Sequence, residues 1–165
     1  MIRPLTPEDA SAYVALRAES LAAAPFAFAA APEDDRAGSV DFMRSAFADP
    51  TQRAFGAFAP GLVGAVGVHR GRGKAAHKAH VWGMYVQAAH RGQGLGRELM
   101  RAAIAFAQSL PGVTHLHLGV SERAPEARAL YEKLGFVIWG TEPSALRVNG
   151  IEVAEYHMVL SLGAG

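Results

Sequence analysis

A glycine-rich segment in the second half of the chain has the residue types of an anion-binding turn. It reads Arg91-Gly92-Gln93-Gly94-Leu95-Gly96 and lies between a predicted strand, His80 to Val86, and a predicted helix. Backbone N–H groups at the start of a helix point at a bound anion, and the helix dipole adds partial positive charge. Glycines let a ligand approach the backbone closely, and Arg91 adds a full charge. The pattern therefore predicts a phosphate-binding turn.

Two common nucleotide motifs do not fit this segment. A dinucleotide fingerprint requires glycine at the sixth position counted from Gly92, where this chain has Arg97. A Walker loop requires Gly-Lys-Ser or Gly-Lys-Thr, which the segment lacks. The glycines alone are equally typical of a tight corner between a strand and a helix, so the segment by itself leaves both interpretations open.

A second motif lies downstream, and the two motifs together resemble those of a known family. Residues 127–136 read Ala-Arg-Ala-Leu-Tyr-Glu-Lys-Leu-Gly-Phe. The strand His80–Val86 with its glycine-rich turn resembles the acetyl-CoA motif of the GCN5-related N-acetyltransferases, the GNAT family. Residues 127–136 resemble the Ala-x-x-Leu-Tyr-x-x-x-Gly-Phe helix of the same family. The resemblance covers nearly the whole chain and implies a GNAT-like acyl-CoA N-acyltransferase fold.

The resemblance also implies roles for individual residues. Main-chain groups of Met84 and Val86 would bind the pantetheine arm of acetyl-CoA, and the glycine-rich turn would hold its pyrophosphate. Tyr131 matches the family tyrosine near the CoA sulfur, where a phenol that is protonated at neutral pH donates a proton to the departing thiolate. The residues expected to bind acetyl-CoA are Met84, Tyr85, Val86, Arg91, Gly92, Gln93, Gly94, Leu95, Gly96 and Arg97.

The motifs do not identify the general base. Many relatives place a glutamate on the strand before the pyrophosphate turn, but residues 77–86 contain no carboxylate. His80 is the nearest titratable group, and its reference pKa of about 6.5 suits a proton acceptor. Glu155 and Tyr85 are further candidates. Many relatives also have asparagine three residues before the second motif, where this chain has Ala124.

Hydrophobic periodicity and turn residues predict one α/β domain over residues 1–165, with a mixed, mostly antiparallel sheet flanked by helices. The helices are expected from Thr6 to about Ala23, after Ser39, before Pro111 and over Pro125–Leu134. The strands are expected at Ile2–Leu5, Arg53–Phe58, Leu62–His69, His80–Val86, Thr114–Val120, Phe136–Thr141 and Val153–Leu160. Exposed edge strands and the apolar last strand make a homodimer possible.

Composition excludes several classes of function. The 165 residues carry a formal net charge of +1, which gives no basic face for nucleic acid. The sequence has no signal peptide and no apolar run of about 20 residues, so we expect a cytoplasmic protein without a membrane span. With no cysteine, and no carboxylate at ligand spacing from its clustered histidines (77, 80, 115 and 117), we expect no metal site.

We therefore expect an enzyme that transfers an acetyl group from acetyl-CoA to a primary amine by direct attack in a ternary complex. The alternative is a non-catalytic acyl-CoA-binding sensor of the same fold. In this fold the acceptor lies over the first two helices and the last hairpin. The acids at 33–35 are candidates to attract an amine, although such a run is more often a solvated loop. The sequence does not identify the amine.

Overall fold

The helices and strands follow the order expected from the sequence. The computed structural model describes residues 1–163. Its helices are α1 (Ala10–Ala23), α2 (Val40–Ala48), α3 (Leu95–Ser109) and α4 (Pro125–Lys133). Its strands are β1 (Ile2–Pro4), β2 (Gln52–Phe58), β3 (Leu62–Arg70), β4 (Lys78–Val86), β5 (His115–Ser121), β6 (Val137–Val148) and β7 (Ile151–Ser161).

The strands described within residues 1–163 form one seven-stranded sheet in the order β1-β2-β3-β4-β5-β7-β6. Neighbouring strands are antiparallel except β4 and β5, which run parallel. A parallel pair requires a crossover connection, and α3 supplies it. The expected fold class, a mixed and mostly antiparallel sheet flanked by helices, is confirmed.

The two faces of the sheet carry separate hydrophobic cores. On one face, α1 and α2 pack over β2, β3 and β4 through side chains that include Tyr13 and Met43. On the other face, α3 buries Leu99, Met100 and Ala107 completely. Their spacing places them on one side of the helix, as expected for a helix with one buried face. The helices on each face are therefore packed through their own core against the central strands of the sheet, around the β4–β5 pair.

Among the element boundaries that differ from the sequence-based prediction, two differ most. Helix α3 has 15 residues, so it is longer than the three turns predicted from its apolar residues. Strand β6 continues to Val148 and does not end at Thr141. Its register with β7 shifts between Glu142 and Leu146, and Pro143 lies within that irregular stretch. Proline is tolerated there because β6 is an edge strand, whose outer N–H groups need no strand partner.

The last strand does not offer an edge for pairing with a second copy. Strand β7 lies between β5 and β6 and is hydrogen-bonded to both, so the edges of the sheet are β1 and β6. Strand β7 therefore cannot pair edge to edge with a second copy, while the homodimer stays a prediction. None of the helices in residues 1–163 is long and apolar enough to cross a membrane.

A largely buried ion pair holds the segment between α1 and α2 in place. The Arg17 guanidinium donates to both carboxylate oxygens of Asp35, at 2.8 and 3.3 Å. Only 12% and 6% of the two side chains are exposed. Asp35 also accepts a hydrogen bond from the Ala37 backbone N–H, and Asp34 accepts one from the Ala31 N–H. These two acids therefore hold the chain in place, which argues against the run at 33–35 as a site that attracts an amine.

We expect Asp35→Ala to lower the free energy of unfolding by about 3 kcal/mol, because it leaves the Arg17 charge buried without its partner. Urea denaturation measures this change. The matched control is Arg44→Gln, which breaks a 3.7 Å pair with Asp41 whose side chains are 58% and 94% exposed. Exposed pairs contribute little, so the control should match the wild type. Equal stability of both variants would contradict a structural role for the Arg17–Asp35 pair.

Candidate active site

The two parallel strands at the centre of the sheet separate along their length. Strands β4 and β5 pair only at Lys78–His115, Ala79–Leu116 and His80–His117. Beyond that point β4 has a bulge, seen as a register shift against β3 and a φ of 63° at Gly83. The bulge increases the local twist, and the strands diverge into a V-shaped gap. Beyond His80 the backbone groups of β4 that face the gap lack a β5 partner and can bind a ligand, although the Val86 carbonyl already accepts a hydrogen bond from Arg91.

Helix α3 begins directly beyond the wide end of this gap. Its N-cap is Gly94, with φ 82°, a left-handed conformation that glycine adopts without strain. A Cβ at Gly92 or at Gly94 would meet no atom within 4 Å, so the space in front of the turn is open. The first N–H groups of a helix have no partner within the helix, and those of α3 face this open space. The local geometry is that of an anion site.

One cavity of about 960 Å³ joins the gap to the start of α3. Of the residues expected to bind acetyl-CoA, Gln93 alone does not line it, because its side chain turns back to the Ala89 carbonyl oxygen at 3.5 Å. The predicted residues that line it are Met84, Tyr85, Val86, Arg91, Gly92, Gly94, Leu95, Gly96 and Arg97. Tyr131 of α4 lines it as well. The structure therefore brings the two sequence motifs to the same cavity.

The end of the cavity at α3 carries positive and donor groups. Arg91 and Arg97 both line it. Arg91 is held in place because its Nε donates to the Val86 carbonyl oxygen at 2.9 Å. His90 also lines the cavity, and its Nδ1 is a buried atom without a hydrogen-bond partner among the described residues. An orphaned buried polar atom is costly, and a bound phosphate oxygen would satisfy it. These groups fit the pyrophosphate of a CoA ester.

Tyr131 presents a buried phenol to the other wall of the cavity. Its side chain is 5% exposed and its ring packs against Phe136 at 6.0 Å between ring centroids. Burial raises the pKa of Tyr131 to about 12. The phenol is therefore protonated throughout the neutral range, as a proton donor must be.

His80 does not line the cavity, although the sequence made it the first candidate for the base. It lies at the last β4–β5 pair, before the strands separate. Its ring lies between those of His69 and His117, at 5.2 and 5.5 Å between centroids. Burial lowers the pKa of His80, and the charge of Lys78 lowers it further. The three rings form a row across β3, β4 and β5 on the face opposite α3.

On the α1 side the cavity opens between aromatic and charged residues that the sequence did not connect. Phe26 and Phe28 line this mouth, and the Arg123 guanidinium lies 4.8 Å from the Phe26 ring centroid. Tyr85 donates its hydroxyl hydrogen bond to Glu19 at 2.9 Å. Glu19 lies on α1, and Phe26 and Phe28 lie between α1 and α2, the region expected to carry the acceptor, whereas Arg123 lies between β5 and α4. No local pattern marks Arg123, since its partner is almost a hundred residues earlier in the chain.

The last hairpin places Glu142, Glu155 and His157 on the sheet face that carries the histidines. His157 Nε2 lies 3.0 Å from Glu142 Oε2 and 3.9 Å from Glu155 Oε1. These three ligand-type groups lie within 4.8 Å of one another, but the His157–Glu142 hydrogen bond already accounts for the contact. Arg147 and Glu152 pair with each other nearer the hairpin turn. The hairpin therefore contributes Glu155, and not Arg147 or Glu152, to the region beside β5.

Comparison with known proteins places this site in a family. The sequence profile described as the acetyltransferase (GNAT) family matches residues 14–136. No curated protein matches the sequence significantly. Among solved structures, the chain is similar to a GNAT-family acetyltransferase from Streptococcus pneumoniae, with 25% identity, 98% of both chains covered and a TM-score of 0.85.

Two further solved structures share the fold. A GCN5-related N-acetyltransferase from Kribbella flavida is 26% identical, with 98% of this chain and 96% of that chain covered and a TM-score of 0.81. The structure of yncA from Salmonella typhimurium with its cofactor acetyl-CoA is 21% identical, with 98% and 93% covered and a TM-score of 0.82. Because the profile match spans both motifs and most of the chain, this protein belongs to the GNAT family of acetyltransferases.

Proposed function

We propose that this protein transfers an acetyl group from acetyl-CoA to a primary amine of a small molecule or protein, within a ternary complex. The observation that carries the proposal is the single cavity that runs from the start of α3 into the β4–β5 gap and contains Tyr131. Its volume suits a large ligand. We also propose that residues 1–165 act as one acetyltransferase domain.

Acetyl-CoA binds along the path defined by the N–H groups at the start of α3 and the unpaired backbone groups of β4. The pyrophosphate lies against the first N–H groups of α3, beside Arg91 and Arg97. From there the pantetheine arm follows β4 backwards from Val86 to Met84, where strand-like hydrogen bonds to the free backbone groups hold it. The solved acetyl-CoA complex of yncA, which has the same fold, supports this choice of donor.

The residues around the thioester then serve the transfer. The acceptor enters from the mouth lined by Phe26 and Phe28 and attacks the acetyl carbon directly. Holding donor and amine side by side removes much of the entropic cost of their encounter. As the carbon–sulfur bond breaks, the Tyr131 phenol gives its proton to the sulfur. A neutral thiol is a better leaving group than a thiolate, so this proton transfer favours the step. No covalent acyl-enzyme is needed, and the chain has no cysteine to form one.

Release of free thiol from acetyl-CoA across a panel of primary amines tests the proposal. Amine-dependent release with formation of the acetylated amine supports the enzyme. Tight binding of acetyl-CoA without release on any amine would instead favour a sensor that uses the same site. Failure to bind acetyl-CoA at all would overturn both.

We expect Arg91→Ala to raise the Kd for acetyl-CoA about tenfold, because it removes one charged donor from the pyrophosphate site. The loss should shrink at high salt, since Arg91 is exposed and screened. Calorimetric titration with acetyl-CoA measures the Kd at low and at high salt. Arg101→Ala is the matched control, because Arg101 is an exposed arginine of α3 that does not line the cavity. Equal weakening by both variants would argue for general charge attraction and against a specific contact.

We expect Tyr131→Phe to lower kcat on the order of 10²-fold while changing the KM for acetyl-CoA little, since it removes a proton donor and keeps the ring. Steady-state kinetics measure kcat and the KM for acetyl-CoA separately. Tyr13→Phe is the matched control, because Tyr13 is as buried as Tyr131 but lies in the other core and outside the cavity. An unchanged kcat in Tyr131→Phe would remove this phenol from the mechanism.

A further inference from the structure

The narrow end of the β4–β5 gap has a carboxylate beside it that comes from a different strand. Gly119 is on β5, two residues beyond the last β4–β5 pair. Glu155 is on β7, where its Cα lies opposite Ser121, and its side chain turns back over Gly119. A Cβ at Gly119 would overlap Glu155 Oε1 and lie 2.8 Å from its Cδ. Glycine at 119 therefore leaves the space that the carboxylate fills.

This position matches the end point of the donor arm. An arm that starts at α3 and follows β4 backwards runs from the wide end of the gap to its narrow end. The narrow end is bounded by the bulge at Gly83 on β4 and by the residues after His117 on β5. Ser121, the strand partner of Glu155, is itself buried and lines the cavity. Glu155 does not itself line the cavity, but its strand partner does, so its carboxylate lies directly behind the cavity wall at the end toward which the proposed arm runs.

The surroundings of Glu155 leave its carboxylate available as a proton acceptor. Its side chain is 29% exposed, and His157 Nε2, at 3.9 Å, is hydrogen-bonded to Glu142 instead. Burial raises the pKa of Glu155; the Glu142 charge on β6 adds to the rise, and His157 opposes it. On β5 the residues next to it, Gly119 and Ser121, carry no charge. A carboxylate in such a site binds a proton more readily than one in water.

We propose that Glu155 is the general base of the transfer and accepts the proton of the amine. The inference rests on the proposed acetyl transfer. An acceptor ammonium gives one proton to the Glu155 carboxylate, and the free amine nitrogen forms a bond to the acetyl carbon. The carbon–sulfur bond then breaks and the Tyr131 phenol protonates the thiolate. The amide nitrogen loses its extra proton to replace that of Tyr131, and Glu155 passes its proton to solvent.

Three variants test the assignment. Glu155→Gln keeps the shape and removes the base. Gly119→Ala keeps the base but displaces it, and the fold should tolerate the change because the atoms that must move are the far end of a flexible side chain. The double variant combines the two. Gly140→Ala on the neighbouring strand β6 is the matched control, since a Cβ there meets nothing within 4 Å.

Both single variants should lower kcat on the order of 10²-fold, with the KM for acetyl-CoA within about twofold of wild type. The double variant should be no worse than Glu155→Gln, because both changes remove one function. The wild-type pH–rate profile should have an acid limb, since Glu155 must be deprotonated, and in Glu155→Gln this limb should move to higher pH, where the acceptor ammonium itself loses its proton. Gly140→Ala should retain the wild-type rate and profile.

Wild-type kcat and an unchanged acid limb in Glu155→Gln would overturn the assignment while leaving the acetyltransferase intact. A shift of the acid limb to higher pH in His80→Gln, with the limb unchanged in Glu155→Gln, would assign the base to His80. Absence of amine-dependent thiol release in the wild type is a different failure, because it would overturn the proposed function itself. Circular dichroism and thermal melting of every variant separate a lost base from a lost fold.

Discussion

The separation of β4 from β5 is the constraint on which the rest of the site depends. A sheet that opens in its centre leaves backbone donors and acceptors unpaired where interior strands normally satisfy them. The bulge at Gly83 produces the separation, and α3 begins where the gap is widest. The same break therefore provides a polar channel for an extended ligand and a helix start for its anionic end. Both features follow from one interruption of the strand pairing.

The two cores keep this opening from closing. Helix α3 packs on one face through Leu99 and Met100, and α1 packs on the other through Tyr13. Close packing of both faces holds β4 and β5 at a fixed separation, because protein interiors are as dense as organic crystals and resist rearrangement. The Arg17–Asp35 pair extends this rigidity to the segment that carries Phe28, over whose ring the Arg17 guanidinium lies. The cavity mouth lined by Phe26 and Phe28 is thus anchored to α1.

The face of the sheet that carries His80, His117 and Glu155 is only partly covered by helices, and its charged side chains interact with one another across strands. Cross-strand neighbours lie about 5 Å apart, so a row of residues from separate strands can form one electrostatic unit. His157 is shared between Glu142 and Glu155 at unequal distances. Glu142 takes the hydrogen bond with His157, and the Glu155 carboxylate lies beyond hydrogen-bond distance of that ring. The pairing of strands thus determines which acid is free to take up a proton.

The sequence by itself determined the order of the elements and the fold class, and it predicted the donor site. Local signals suffice for these, because the glycine-rich turn and the Leu130–Tyr131 helix are each encoded by neighbouring residues. The extent of β6 was missed, since Pro143 reads as a break until the strand is seen to be an edge. Only the tertiary structure set Glu155 over Gly119 and Arg123 over Phe26. Such contacts join residues far apart in the chain, and strand order and register, which no local pattern encodes, decide them.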